Sequence, residues 1–206
     1  MKRKMLGALF CIIILALSVL IAASVLYSPV QVVIDPGHGG SDVGAQYDGR
    51  YEKNDNLEIA LLVCDNLRNL GVEACLTRDK DKFLELKDRC TLANRRNAEL
   101  FVSLHRNSAE GAKGVEIWVS SDAPERDVAL AENILNALDN VGISENRGVK
   151  SGYARGDGNY YVNSQTDMPS CLVELGFINS ETDNTLFDEN MQAYAEAMAK
   201  AIEETL

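Results

Sequence analysis

The sequence predicts an α/β domain built on a largely parallel, twisted sheet flanked by helices on both faces. Three observations carry this. Short apolar runs with β character recur along the chain, and stretches of helical periodicity separate them. Several of the runs are continuously apolar rather than alternating, as in strands covered on both faces. The 206 residues suffice for one domain with a full hydrophobic core. Beyond residue 29 no repeat, low-complexity tract or Pro/Gly/Ser linker divides the chain.

The chain opens on Lys2-Arg3-Lys4, followed by an uncharged stretch from Met5 to about Tyr27. A basic flank ahead of an apolar run is the pattern of export. About 20 apolar residues can span a bilayer as a helix, with the basic flank held in the cytoplasm. Residues 1–29 are therefore read as a signal-anchor or transmembrane segment, with membrane contact through residues 5–27. Residues 30–206 are read as a folded domain outside the cytoplasm. Ala22-Ala23-Ser24 offers a cleavage site, so a cleaved signal and a secreted protein form the alternative.

Strands are expected at Val30–Ile34, Val72–Leu76, Leu100–Leu104, Val115–Val119 and Cys171–Leu175. Between them, Leu57, Ala60, Leu61 and Cys64 share one helical face, with Gly71 as a stop signal. Phe83, Leu86, Cys90 and Ala93 share another. Asp122-Ala-Pro-Glu125 has the look of a helix start and leads into Ala131, Ile134, Leu135 and Leu138, then Gly142. Met191, Tyr194, Ala195, Met198 and Ile202 mark a C-terminal amphipathic helix.

Charge and cysteine narrow the function classes. Residues 1–29 hold three basic residues and no acid, which leaves 17 of the 20 basic and all 31 acidic residues to the rest, a net of −14. A domain that acidic is a poor nucleic-acid binder. Cys64, Cys75, Cys90 and Cys171 each sit among apolar residues with no close CxxC pair, which favours buried free thiols over disulfides.

The chemistry gathers at strand ends. The chain has two histidines. His38 follows the first apolar run in VVIDPGHGG, and His105 ends another in LFVSLHRNS. In open α/β sheets ligands bind beyond the carboxyl ends of strands, and Glu174, inside CLVELGF, falls on the same rim. Two imidazoles and one carboxylate suit a catalytic zinc with an open fourth position. Glu52 lies 14 residues beyond His38, but Asp48, Asp55 and Glu58 are rival third ligands that spacing does not separate. An acid within a buried apolar strand, as at Glu174, is costly unless paired or bound to something. It is a candidate general base for an activated water, a buried salt bridge being the alternative. Asp35 either orients His38 as a carboxylate behind the ligand or caps the turn.

From Val32 onward the chain resembles the zinc-dependent N-acetylmuramoyl-L-alanine amidases of the type 3 group. VVIDPGHGGSDVGA, LTRDKD, Arg89 with Ala93-Asn94, FVSLHRNS, GVEIWV, RGVK and MPSCLVELGFINS occur in that family's order. The resemblance implies a mixed sheet of about six strands, one Zn²⁺ per domain on His38, Glu52 and His105, and Glu174 as the catalytic carboxylate. It implies peptidoglycan as substrate, cut at the amide between the lactyl group of N-acetylmuramic acid and L-alanine of the stem peptide. An unidentified activator protein is a further candidate partner. Two departures stand out: Arg106 replaces a usual small residue after the second histidine, although Asn107 is retained, and Ser164-Gln165-Thr166 replaces an Arg-Asn-Thr-like stretch. Arg106 and Asn107 are accordingly candidate substrate contacts. Arg106 would read a carboxylate of the stem peptide, or else form a salt bridge within this acidic domain. A binding module without chemistry and a zinc peptidase with other substrates are the rival functions. The short HExxH motif of many such peptidases is absent.

Overall fold

The computed structural model describes residues 13–15, 30–154 and 156–206. Most of the expected membrane segment lies outside the described residues; among them no helix is long and apolar enough to cross a membrane. The elements run β1 (Val32–Pro36), β2 (Gln46–Tyr47), β3 (Arg50–Tyr51), α1 (Glu52–Asn69), β4 (Ala74–Leu76), α2 (Leu86–Arg95) and β5 (Leu100–Asn107). They continue with β6 (Val115–Val119), α3 (Glu125–Val141), β7 (Asn146–Ser151), α4 (Tyr161–Gln165), β8 (Ser170–Phe177) and α5 (Glu181–Glu203).

Six strands form one sheet in the order β4-β1-β5-β8-β6-β7, with β2 and β3 as a separate hairpin. β4, β1, β5 and β8 are mutually parallel. β6 runs antiparallel to β8, and β7 is parallel to β6. The sheet is thus mixed, as the resemblance implied. The carboxyl ends of β1, β5 and β8 share a rim with the amino ends of β6 and β7.

The period-2 alternation of the strands separates two cores. Val32, Ile34, Val102, Leu104, Ile117, Val173 and their neighbours face α1, α3 and α5. Val33, Phe101, Trp118 and Leu172 face the other way, against Cys90 and Ala93 of α2 and Val162 of α4. Those two helices are short, so they cover only part of that face. The rest is open and becomes the cleft.

Local readings shifted in three places. The buried face of α1 is Glu52, Asn56, Ile59, Ala60, Val63, Cys64 and Leu67, while Leu61 is exposed. Ala60 and Cys64 were read correctly, but the apolar face is turned from the one expected, and the true phase carries Glu52 onto the inward side. Phe83 and Leu86 are also exposed, because α2 buries Arg89, Cys90 and Ala93 instead. β7, with the polar sequence NRGVKS, was not anticipated; its pairing to β6 comes from the fold and not from apolar pattern. The four described cysteines are free, three buried and Cys75 half-buried.

Asp183 ties the end of β8 to the start of β6. Its buried carboxylate accepts from the Phe177 and Gly114 amides at 2.8 and 3.0 Å and from the Ser144 hydroxyl. An unpaired buried carboxylate would be costly, so this one is fixed where its donors are. The lock holds the strand of Glu174 in register with that of Glu116.

Candidate active site

His38 stands in a tight turn after β1. Gly39 and Asp42 exchange backbone hydrogen bonds of 2.8 and 3.1 Å, and His38 itself has φ of 61°. A non-glycine residue in that region stores strain that the surroundings must impose. Two buried arginines impose it: Arg78 donates to the carbonyls of Pro36 and Gly37 at 2.9 and 2.8 Å, and Arg89 to those of Pro36 and His38 at 2.7 and 2.8 Å. Arg89 is anchored in turn on Asp35 at 2.8 Å.

Asp35 therefore does not orient the His38 ring, contrary to one sequence expectation. Its carboxylate accepts from Arg89, Thr77 and Ser103 beneath the loop. Burial pushes its pKa up, but Arg89 and the two hydroxyls outweigh this and hold it below the ordinary range. The carboxylate beside the ring is Asp42, whose Oδ2 lies 2.8 Å from His38 Nδ1.

Glu52 is the first residue of α1, where the helix amino end favours an acid. Its Oε1 lies 3.1 Å from His38 Nε2 and 2.8 Å from His105 Nδ1. The Arg106 amide and Asn56 also donate to Oε1, and the Ala45 amide to Oε2. Of the rival acids, Asp48 and Glu58 are exposed and Asp55 is turned to Arg50 and Arg106. The structure thus gathers His38, Glu52 and His105, with one ligand atom of each lying within 4.8 Å of the others. Ligand atoms about 2.0–2.1 Å from a tetrahedral zinc stand roughly 3.3 Å apart, so the spacing and the donor chemistry both fit that ion. Burial lowers the pKa of His38, yet Glu52 and Asp42 outweigh it and raise the net value. Burial raises that of Glu52, and the two imidazoles overturn this and depress it strongly.

Two glycines are required by close approach. A Cβ on Gly37 would stand 2.2 Å from the His105 ring, and one on Gly44 would stand 2.6 Å from Glu52 Oε2 and 2.7 Å from the His38 ring. The loop wraps the cluster too tightly for any side chain there.

Strand pairing sets the rest. Glu174 on β8 is in register with His105 on one side and Glu116 on the other. All three line one cleft of about 1140 Å³, with Trp118, Arg147, Lys150, Tyr153 and Tyr160 farther along. Glu116 is buried and fully satisfied: Asn107 and Trp118 donate to Oε1 at 2.9 and 3.0 Å, and Arg147 and Lys150 contact Oε2 at 2.8 and 2.9 Å. Asn107 faces the cleft but is held by Glu116.

Arg106 does not face the cleft. Strand alternation turns its side chain under α1 and α5, where it is wholly buried. It pairs with Asp55 at 2.7 Å, donates to Asn184, and stacks 4.3 Å above the Phe187 ring. Burial pushes its pKa down to about 10 despite Asp55. The salt-bridge alternative describes it and the substrate contact does not. Glu116, Arg147 and Lys150 were not singled out from the sequence, although RGVK and GVEIWV contain them.

Fold and cleft define a hydrolytic α/β domain with a two-histidine, one-carboxylate cluster at the strand ends. A model of the N-acetylmuramoyl-L-alanine amidase family matches residues 32–204, and the chain belongs to that family. It is 38% identical over 176 residues to the protein YqiI of Bacillus subtilis, covering 84% of this chain and 82% of YqiI. Among solved structures it resembles the amidase AmiC2 of Nostoc punctiforme, with TM-score 0.75 and 39% identity over 85% of this chain and 96% of that one. It also resembles the CwlD amidase of Clostridioides difficile, solved in complex with the GerS lipoprotein, with TM-score 0.73 and 29% identity over 84% and 94% of the two chains. Several curated amidases are longer, and the chain spans 58%, 52% and 59% of their lengths. The family match and these relatives assign the chain N-acetylmuramoyl-L-alanine amidase activity.

Proposed function

We propose that the amide between the muramoyl lactyl group and L-alanine is cut at the rim where His38, Glu52 and His105 meet, with one Zn²⁺ held by those three residues. The observation that carries this reading is the convergence of three ligand atoms, within 4.8 Å, beside Glu174 in the cleft. A zinc ion bound there would polarise the scissile carbonyl and lower the pKa of a water. Glu174 takes the proton of the attacking water and delivers it to the leaving nitrogen. Asp42, 2.8 Å from Nδ1, would hold the plane and tautomer of the His38 ring and leave Nε2 as the nitrogen to bind the ion. Arg78 and Arg89 hold the loop against relaxation, and Glu52 is oriented by three further donors. Elemental analysis of protein purified without added metal tests the assignment. About one equivalent of zinc is expected, and less than about 0.2, with no activity regained on adding zinc, overturns it.

Two coarser readings accompany this one. The basic flank and the apolar run at residues 5–27 support a membrane tether that the chemistry does not need. A protein beginning at Ser28 should be soluble and active, whereas insoluble or inactive protein would mean that the segment packs into the fold. The complex of CwlD with a lipoprotein supports a protein partner for this chain, and an activator is the role proposed for it. Co-purification from its own envelope, scored by a rise in turnover, tests that.

A further inference from the structure

We propose that Lys150 and Arg147 form a carboxylate-reading subsite for the stem peptide, positioned by Glu116 beside the reacting centre. The proposal rests on the reading that cleavage occurs at His38, Glu52, His105 and Glu174.

The charge pattern points there. The folded part of the chain carries a large acidic excess. Yet Lys150 and Arg147 line the cleft with 33% and 27% of their side chains exposed. Among the described residues the other lysine or arginine lining it is Arg89, which is 2% exposed and spent on Asp35 and loop carbonyls. Glu116 faces both Lys150 and Arg147 and offers one negative charge to two positive ones. Exposed Glu145 lies 3.6 Å from Arg147, where solvent screens it. Set against Glu116, the pair carries one surplus positive charge on the β7 side of the cleft, while Glu174 faces it from β8.

Geometry sets which part of the substrate it meets. Glu116 is directly across from Glu174, and Lys150 is paired with Trp118, two residues farther along β6. Strands are about 4.8 Å apart, so β7 lies roughly 10 Å from β8. Both cations reach back to Glu116, and an extended peptide rises about 3.3 Å per residue, so the subsite lies within the first few residues past the scissile amide. The ligand is a free carboxylate of the stem peptide. Lys150 also stands 5.6 Å from the Trp118 ring and Arg147 5.1 Å from that of Phe177. The aromatic floor keeps both cations in place without neutralising them. This is the recognition that the sequence alone suggested for Arg106, moved to residues that reach the cleft.

The test compares two muropeptides on the full-length protein, one with free stem carboxylates and one with those carboxylates amidated. Charge-assisted hydrogen bonds carry the discrimination. Wild type is expected to show a KM about tenfold lower on the free form, with similar kcat. Lys150→Gln should remove that preference by raising KM on the free form alone, with Arg147→Gln acting in the same direction and Lys150→Arg retaining most of it. Equal losses on both substrates would overturn the proposal, because a residue that merely supports Glu116 would not sense amidation. A wild type indifferent to amidation overturns it as well. If the wild type releases no L-alanine-terminated peptide from either compound, the cleavage reading itself fails and the subsite falls with it; product mass tells the two failures apart.

Discussion

His105 and Arg106 are neighbours on β5, and they sit in opposite worlds. His105 opens onto the cleft with 18% of its side chain exposed, while Arg106 is sealed beneath α1 and α5 at 0%. Each belongs to a charged cluster anchored on the first turn of α1, through Glu52 on one side and Asp55 on the other. The covered cluster, Arg106 with Asp55 and Arg50, holds helices to the sheet. The open one keeps two imidazoles and a carboxylate close together at the edge of solvent. Burial alone does not mark a functional charge: the more deeply buried cluster is the structural one, and the partly wet one is where a ligand can arrive.

The largest expected effect breaks the open side. Glu174→Gln should retain zinc and fold while turnover falls about 10²–10⁴-fold, the usual worth of a positioned general acid–base. His105→Ala should lose the metal as well. Metal content and single-turnover rate, measured on both, check this; a Glu174→Gln rate near wild type would hand the base role to another group.

Arg106→Ala tests the covered side. Removing one partner of a buried pair leaves a stranded charge and costs on the order of 3 kcal/mol, with Arg50 still compensating Asp55 and keeping the loss at the low end. The melting temperature should drop, while KM and zinc content of the folded fraction stay as they were. A changed KM with an unchanged melting temperature would reverse the contrast between the two clusters.

Asp42→Asn should weaken metal binding by about 10–100-fold, the typical cost of losing a carboxylate behind a ligating histidine, without moving the fold. Competition with a chelator of known affinity measures it. Asp35→Asn, by contrast, should lower stability first, since its partners are Arg89, Thr77 and Ser103 and not the ring.

The smallest effect is a pH dependence. Burial raises the pKa of Glu116, but hydrogen bonds from Arg147, Lys150 and Trp118 outweigh it and leave the value below the ordinary 4.5. The ionised carboxylate therefore contributes stability that is fully present above about pH 4.5 and is lost as pH falls through the lowered folded value. Glu116→Gln should cost on the order of 1 kcal/mol or less near neutrality, reduced by the solvent that reaches both cations. The difference from wild type should vanish in acid. Denaturant melts at several pH values show whether the two curves converge.

Much was legible in the sequence because it is local. Apolar runs and helical periods marked β1, β4, β5, β6 and β8 and the helices α1, α2, α3 and α5, but not the short α4. His38, His105 and Glu174 fell at strand ends, and parallel strands carry such ends to one rim. Glu52 needed the family resemblance, since four acids lay within reach along the chain.

The sequence by itself determined the layered class, the free thiols and the three residues at strand ends, because periodicity and burial are written residue by residue. Tertiary structure decided what stands beside them. That β6 runs antiparallel to β8 follows from pairings across the whole chain, and it alone sets Glu116 next to Glu174 and brings Lys150 and Arg147 into the cleft. Which side of β5 is covered, and hence that Arg106 is buried while His105 is open, depends on where α1 and α5 dock. The exchange of Asp35 for Asp42 beside His38 depends on a loop folded over two distant arginines. A pattern of period two fixes that neighbours on a strand point apart; only the packed fold says which of them meets the substrate.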